Sequence, residues 1–443
     1  MRRLKGLLTG TLGLAALAAF VLVVALLLGG LSQRGAVPIV TPPPTRPATP
    51  TVVPTRITPP PLQTPTQPAS PLLTPTPPRA TPSPPVPWPT APPYTPPPGW
   101  TNVTLDRIHS GEPTVVLTHT ALIKVIEWLP DSQRLLLELG TGEFPLTNRI
   151  ITLDVVTGGV VEYGRRLDRD IAPVWVEQAQ GVVFDFWIPD SPPELRFGRA
   201  VGQVRILDQA DAYPAVHRPS GRVLYVPIGA TLQAREVASG QAVPPPFQAE
   251  LLPFGVLRAD PQGRWLVSLW RRLERQGVVY LADMSQGTMR QIELSDPRQP
   301  YSEWWSREAV WSPDGQRLAV IMGWWWNRLR ASKVAILEPE SGNWHWLNLP
   351  SQFVDEVDWA PDGRHLLVKA GYEYDAQSQP LPNAFWLVDA TTGDFHPFNL
   401  FSLQYPSSGN YFMAWSSDGK RLAWVRGIPG GLGVLVSDVT IKQ

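Results

Sequence analysis

A short phrase recurs seven times after residue 120, and a recurring unit of this size decides the architecture before any single residue is interpreted. It is clearest as Val310-Trp311-Ser312-Pro313-Asp314-Gly315-Gln316-Arg317-Leu318-Ala319-Val320. It returns as Val357-Asp358-Trp359-Ala360-Pro361-Asp362-Gly363-Arg364-His365-Leu366 and as Met413-Ala414-Trp415-Ser416-Ser417-Asp418-Gly419-Lys420-Arg421-Leu422. Four weaker copies lie around Pro130-Asp131-Ser132, from Trp175 to Gly181, around Pro219-Ser220-Gly221 and around Pro261-Gln262-Gly263, at intervals of roughly 40 to 56 residues. Proline presets φ for a turn and glycine accepts the positive φ that closes it, so each phrase reads as a strand, a tight turn and a second strand. A further apolar run and turn follow, as in residues 334–337, 339–343 and 344–347. Every repeat therefore encodes four strands.

A four-stranded antiparallel unit cannot bury both faces alone but does so when seven of them stack radially. The expected fold is an all-β, seven-bladed propeller of four-stranded antiparallel blades over residues 113–443. The phrases resemble the Pro-Asp-Gly repeats of TolB-like propellers, relatives of the WD-repeat propellers, with three close copies and four degenerate ones. That resemblance implies protein partners in the cell envelope. Ring closure needs a strand from the far end of the chain, and residues 113–118 are expected to form the outer strand of the blade that holds Trp415.

The first five residues carry Arg2, Arg3 and Lys5, and residues 6–31 contain no charged side chain. That run exceeds the roughly 20 residues needed to span a bilayer as a helix. Cations ahead of it favour a cytoplasmic N-terminus. The reading is a single-pass signal-anchor helix over 6–31 in the cell membrane, with the propeller on the extracytoplasmic side, periplasmic or extracellular. A cleaved signal peptide would have a shorter apolar region and a small-residue cleavage site, and no such site follows Leu28. The absence of cysteine excludes disulfides, thiolate chemistry and a lipidated cysteine. Residues 37–99 are mainly Pro and Thr and hold about half of the 52 prolines. They are expected to be a disordered, extended stalk rising about 3.1 Å per residue, with Arg46, Arg56 and Arg79 as its only charges.

The chain has 38 basic and 38 acidic residues, so no long-range field draws nucleic acid; no nucleic-acid partner and no cofactor are expected. Among the 19 tryptophans, Trp128, Trp175, Trp311, Trp359 and Trp415 share one place in the first strand of their repeats. A periodic aromatic of this kind reads as packing between blades, where each buries on the order of 150–250 Å².

In a four-stranded blade the turns joining strands one to two and three to four lie on one face, and the remaining connections on the other. The second face is expected to gather residues 301–305, with Trp304 and Trp305, and an irregular loop over 323–330, with Trp324, Trp325, Trp326, Arg328 and Arg330. Neighbouring blades add Trp270, Arg271 and Arg272 on one side, and Tyr372, Tyr374, Tyr405 and Tyr411 on the other. Exposed aromatics gather where something binds, and arginine supplies planar donors to carboxylates or phosphates. The competing reading is that these loops cap the blade and plug the central channel.

Catalytic patterns are sparse. There is no Gly-x-Ser-x-Gly elbow. Ser312-Pro313-Asp314-Gly315 places its glycine one position too early for the Ser-x-Asp-x-Gly turn of sialidases. His217 and His365 fall near turns, and His345 and His396 on outer strands, so the histidines do not converge. Asp168, Asp170, Asp190 and Glu194 are the remaining candidates for a carboxylate cluster. The sequence thus points to a protein- or glycan-binding scaffold module of the envelope, whose partner is an envelope protein or a wall polysaccharide, rather than to an enzyme. The alternative is a carbohydrate-active lyase or hydrolase on a propeller scaffold.

Overall fold

The computed structural model describes residues 88–442. Left outside are 143–146, 168–171, 188–190, 201, 210–213, 228–230, 248–254, 271–276, 295–304, 327–328, 350, 352, 371–384 and 399–412. The expected membrane helix and the stalk up to residue 87 also lie outside the described residues, and no described helix is long and apolar enough to cross a membrane. Residues 81–443 form one compact unit.

That unit is a seven-bladed β-propeller of four-stranded antiparallel sheets, blades 1 to 7 in chain order spanning residues 123–167, 174–208, 215–243, 255–293, 305–346, 354–397 and 413–441. Blade 5 is typical: strands Trp305–Trp311, Leu318–Trp326, Leu329–Leu337 and Trp344–Trp346 pair in sequence order from the channel outward. The turn of the repeated phrase works as its residues dictate. In blade 5 the Asp314 carboxylate accepts hydrogen bonds from Ser312 Oγ and from the Gln316 amide, while Gly315 takes φ +67°. A Cβ at Gly315 would lie 2.6 Å from the Asp260 carboxylate of the preceding blade's turn. Glycine is thus required both by φ and by the close approach of neighbouring turns.

Seven buried apolar clusters occupy the seven seams between blades. The five in-register tryptophans each pack against the preceding blade, as their periodicity implies. Their hydrogen bonds follow one rule. The residue just before the aromatic register in one blade serves the next blade's tryptophan. Where that residue is not acidic, its carbonyl accepts the indole N–H: Trp128 to Ala414 (2.8 Å), Trp311 to Arg258 (3.0 Å) and Trp359 to Val310 (2.8 Å). Where it is Glu127 or Asp358, its carboxylate instead accepts the backbone N–H of Trp175 (3.1 Å) or Trp415 (2.9 Å).

Blade 7 closes the ring. Its third strand, Gly431–Ile441, pairs with Thr114–His119 as expected, and also with Ile108–Ser110, so the outer edge is one strand interrupted at 111–113. Closure therefore begins earlier in the chain than residue 113.

The last part of the expected stalk is not a free tether. Residues 88–100 lie along the turn face as a strap. Trp88 is 5% exposed and sits in the seam between blades 3 and 4, edge-on to His217 (4.9 Å between centroids), with the Arg222 guanidinium 4.9 Å above its ring. Blade 4 carries Ala259 where five other blades carry tryptophan, so the strap supplies the indole that this repeat lacks. Ala91 N donates to Gln262 O at 2.8 Å, in the turn of blade 4. Tyr94 donates its hydroxyl to Pro361 O at 2.6 Å, in the turn of blade 6. Trp100, 2% exposed, wedges into blade 7, donating to Gly419 O at 3.2 Å and packing edge-on to Trp415 at 5.5 Å.

Two substitutions separate packing from hydrogen bonding. Trp100→Ala is expected to lower stability by about 3–5 kcal/mol, the range for truncating a buried tryptophan. Trp128→Phe keeps most of the packing and loses one hydrogen bond, for about 1 kcal/mol. Urea titration followed by circular dichroism measures both; an unchanged midpoint for Trp128→Phe would mean that the indole bond across the closing seam contributes nothing.

Candidate functional site

Three features stand apart from the regular blade packing. The first is on the loop face of blade 5. Strands Leu318–Trp326 and Leu329–Leu337 form a ladder running from Leu318 opposite Leu337 to Trp326 opposite Leu329. Among the described residues the inner strand pairs as far as Trp305 opposite Gly323, and the outer strand as far as Ala335 opposite Trp346, with one further bond from Leu347 N to Val334 O at 2.9 Å. Among the described residues, 324–326 and 329–331 pair only with each other, as a two-stranded ladder whose Ala331 is still buried in the seam of blades 4 and 5. Its base is fixed by Ser332, whose buried hydroxyl donates to Val354 O and accepts from Val354 N, both at 2.7 Å. This corrects the expected irregular loop over 323–330. Tryptophan suits a pleated strand, so the ladder continues through Trp324, Trp325 and Trp326 and leaves only residues 327–328 for the connection.

The other sequence candidates divide. Trp305 begins the inner strand of blade 5 opposite Gly323, Arg330 pairs opposite Trp325, and Trp270 ends the second strand of blade 4 opposite Gly255. These positions share the loop face with Trp324–Trp326. Trp304, Arg271, Arg272, Arg328, Tyr372, Tyr374, Tyr405 and Tyr411 lie outside the described residues.

The second feature is a group of acids on the channel-lining strands of blades 5 and 6, which repeat counting passes over because each sits within an ordinary strand. Glu356 Oε1 accepts from Met413 N at 2.7 Å, Asp358 bonds Trp415 N and, at 3.0 Å, Trp359 N, and Asp355 pairs with Lys369 Nζ at 2.7 Å. Glu356 and Asp358 are half-buried on the inner strand of blade 6. Burial pushes Asp358 up to about 7, against the pull of the Trp415 and Trp359 amides and with a push from Glu308. Burial likewise holds Glu356 well above the carboxylate range; Lys369 and the Met413 amide oppose it, and Glu308 and Asp355 add to it. The immediate role of both acids is to cap inner-strand amides of blade 7.

The third feature is a cavity of about 240 Å³ on the turn face, bounded by Ala91 of the strap and by Trp175, Glu177, Gln178, Arg218 and Pro219. Its walls are tied together: Arg218 pairs with Glu127 at 2.5 Å, and Trp175 Nε1 donates to Glu177 at 2.6 Å.

Of the acidic cluster considered from sequence, Asp168, Asp170 and Asp190 lie outside the described residues, and Glu194 is bonded to Arg196 at 2.6 Å. Among the described residues no three His, Asp or Glu side chains are grouped so as to hold a metal ion. His217 and His365 do sit at turns, and His345 and His396 on outer strands.

No protein-family model matches the chain, and no curated protein does. Among solved structures it is similar to an oligogalacturonate lyase in complex with manganese, at 13% identity over 81% of this chain and 98% of that one, with a TM-score of 0.49. It is also similar to the Kuenenia stuttgartiensis hydrazine synthase, at 15% identity over 68% and 75% of the two chains, with a TM-score of 0.39. Neither likeness carries a reaction or a ligand to this chain.

Asp358 gives a pH signature. Its folded-state value near 7 lies above its ordinary 3.8, so between those values the folded chain binds the proton that the unfolded chain releases. Its contribution is complete below about pH 4 and is lost as pH rises through about 7. In Asp358→Asn, the change in thermal midpoint between pH 4 and 7 should lack this downward component; superimposable wild-type and variant profiles would show that Asp358 does not titrate there.

Proposed function

We propose that this protein is a binding scaffold of the cell envelope that engages its partner, an envelope protein or a wall polysaccharide, through the loop-face hairpin of blade 5. The observation that carries this reading is the continuation of the ladder through Trp324–Trp326, which among the described residues pair only with 329–331. Strand positions alternate between faces, so positions 324 and 326 share one side of the ladder and position 325 the other. Arg330 is paired opposite Trp325, and Trp270 ends a strand of blade 4 on the same loop face. Flat aromatic faces suit stacking on sugar rings or on partner side chains, and arginine suits carboxylates.

Two further points favour this face. The turn face is partly covered by the chain's own strap. The likeness of the repeats to TolB-like propellers suits a protein partner, although a fold by itself does not name one. The uncharged run over residues 6–31 and the Pro/Thr-rich stretch after it suit a membrane anchor and a spacer that present the propeller outside the cytoplasm.

The test compares the full chain with a Trp324→Ala, Trp325→Ala, Trp326→Ala variant of matched circular dichroism. Both are used to capture envelope proteins and to bind purified wall polysaccharide. One protein or glycan retained by the wild type and reduced at least ten-fold by the variant is the expected result; identical capture by both would overturn the hairpin assignment.

A further inference from the structure

The strap has the design of a bound peptide more than that of a core element. Between residues 37 and 100 the only aromatic residues are Trp88, Tyr94 and Trp100, spaced six apart. A polyproline helix has three residues per turn, so an extended stretch puts Trp88 and Tyr94 on one face, about 19 Å apart at 3.1 Å per residue; a turn over 97–100, closed by Trp100 N donating to Pro97 O at 3.1 Å with Gly99 at φ +91°, then sets the direction of Trp100. Each meets its own station on the turn face: Trp88 in the seam of blades 3 and 4, Tyr94 at the turn of blade 6, and Trp100 on blade 7. Burial pushes the Tyr94 hydroxyl up to about 12, with the Asp314 and Asp362 carboxylates adding to it, so it stays a donor to Pro361 O. Between the stations Pro89, Thr90, Pro92, Pro93, Thr95 and Pro98 are exposed. Anchored aromatics separated by solvated prolines are the pattern of proline-rich peptides lying in aromatic-lined grooves.

The receiving surface has the matching property. At blade 4 the repeat supplies Ala259 where an indole belongs, and the indole comes from outside the repeat, held between His217 and Arg222. The strap carries no charge, so recognition rests on ring packing and a few hydrogen bonds, which any chain with the same register reproduces.

We propose that the turn face is a docking surface for proline-rich peptides with aromatic residues six apart, and that residues 88–100 are its occupant in cis, which a partner's segment of that chemistry displaces. Ala91 of the strap forms one wall of the 240 Å³ cavity. This surface is independent of the blade 5 hairpin, so either assignment can fail alone.

The test uses the full chain carrying Trp88→Ala and Tyr94→Ala, which weakens the strap and leaves the stations and Trp324–Trp326 intact. A fluorescent peptide with the sequence of residues 86–101 is titrated by anisotropy against variant and wild type. In the wild type the tethered strap competes at an effective concentration on the order of millimolar. The peptide is expected to bind the variant at least ten-fold more tightly than the wild type, and a control peptide with alanine at all three aromatic positions is expected not to bind. No binding to a variant that circular dichroism shows to be folded, or equal binding to both proteins, overturns the proposal. So does self-association of the variant without peptide affinity, which assigns the surface to a second copy. Hydrogen exchange on the unmodified chain covers a variant that fails to fold. The Ala91 and Thr95 amides are expected to exchange through local opening, at least ten-fold faster than Val320; exchange only on global unfolding overturns the proposal.

Discussion

The seam between adjacent blades is the interaction on which the rest of the molecule depends. A four-stranded sheet has no core of its own, and each sheet here buries its faces only against its two neighbours. One register position controls every tryptophan seam. Its residue hands the next blade either a main-chain carbonyl for the indole N–H or a carboxylate for the backbone N–H. The carbonyl mode satisfies the indole N–H, and the carboxylate mode the backbone N–H. In the carboxylate mode the indole is released to other uses. Trp175 bonds Glu177, while the ring N–H of Trp415 finds no hydrogen-bond partner among the described residues and the ring packs against Trp100.

The carboxylate mode places acids where solvation is poor. Asp358 and Glu356 gain amide bonds to blade 7, but burial raises both above the ordinary range, with Glu308 adding to each and Asp355 to Glu356. Lys369 opposes the rise at Glu356. A device that joins blades thereby makes the blade 6 to 7 seam sensitive to protonation near neutrality.

Degeneracy in the repeats has a structural counterpart. Blade 4 lacks its tryptophan, and the deficit is made good by Trp88, more than 160 residues earlier in the chain. The same strap adds Trp100 to the seam of blades 6 and 7, next to the interrupted outer strand formed by Ile108–Ser110 and Thr114–His119. The ring is thus held twice, by strand pairing at the rim and by aromatic anchors across the turns.

Much of this was legible in the sequence because a propeller is built from local hairpins whose turns are written in Pro, Asp and Gly. The blade count, the four-strand pattern, the interblade position of Trp128, Trp175, Trp311, Trp359 and Trp415, and closure by the strand after residue 113 all follow from periodicity and turn chemistry. The aromatic spacing over 88, 94 and 100 was also present, but composition alone assigns a proline-rich tract to a spacer. Only the tertiary structure supplies the groove, and the Ala259 vacancy, that turn such a tract into a strap. Likewise, three tryptophans in a row do not reveal whether they belong to a loop or a ladder; the pairing partner across the hairpin decides it. The elevated acids belong wholly to the tertiary structure, since a carboxylate is moved from its ordinary range by burial and by neighbours from other blades, which no local pattern encodes.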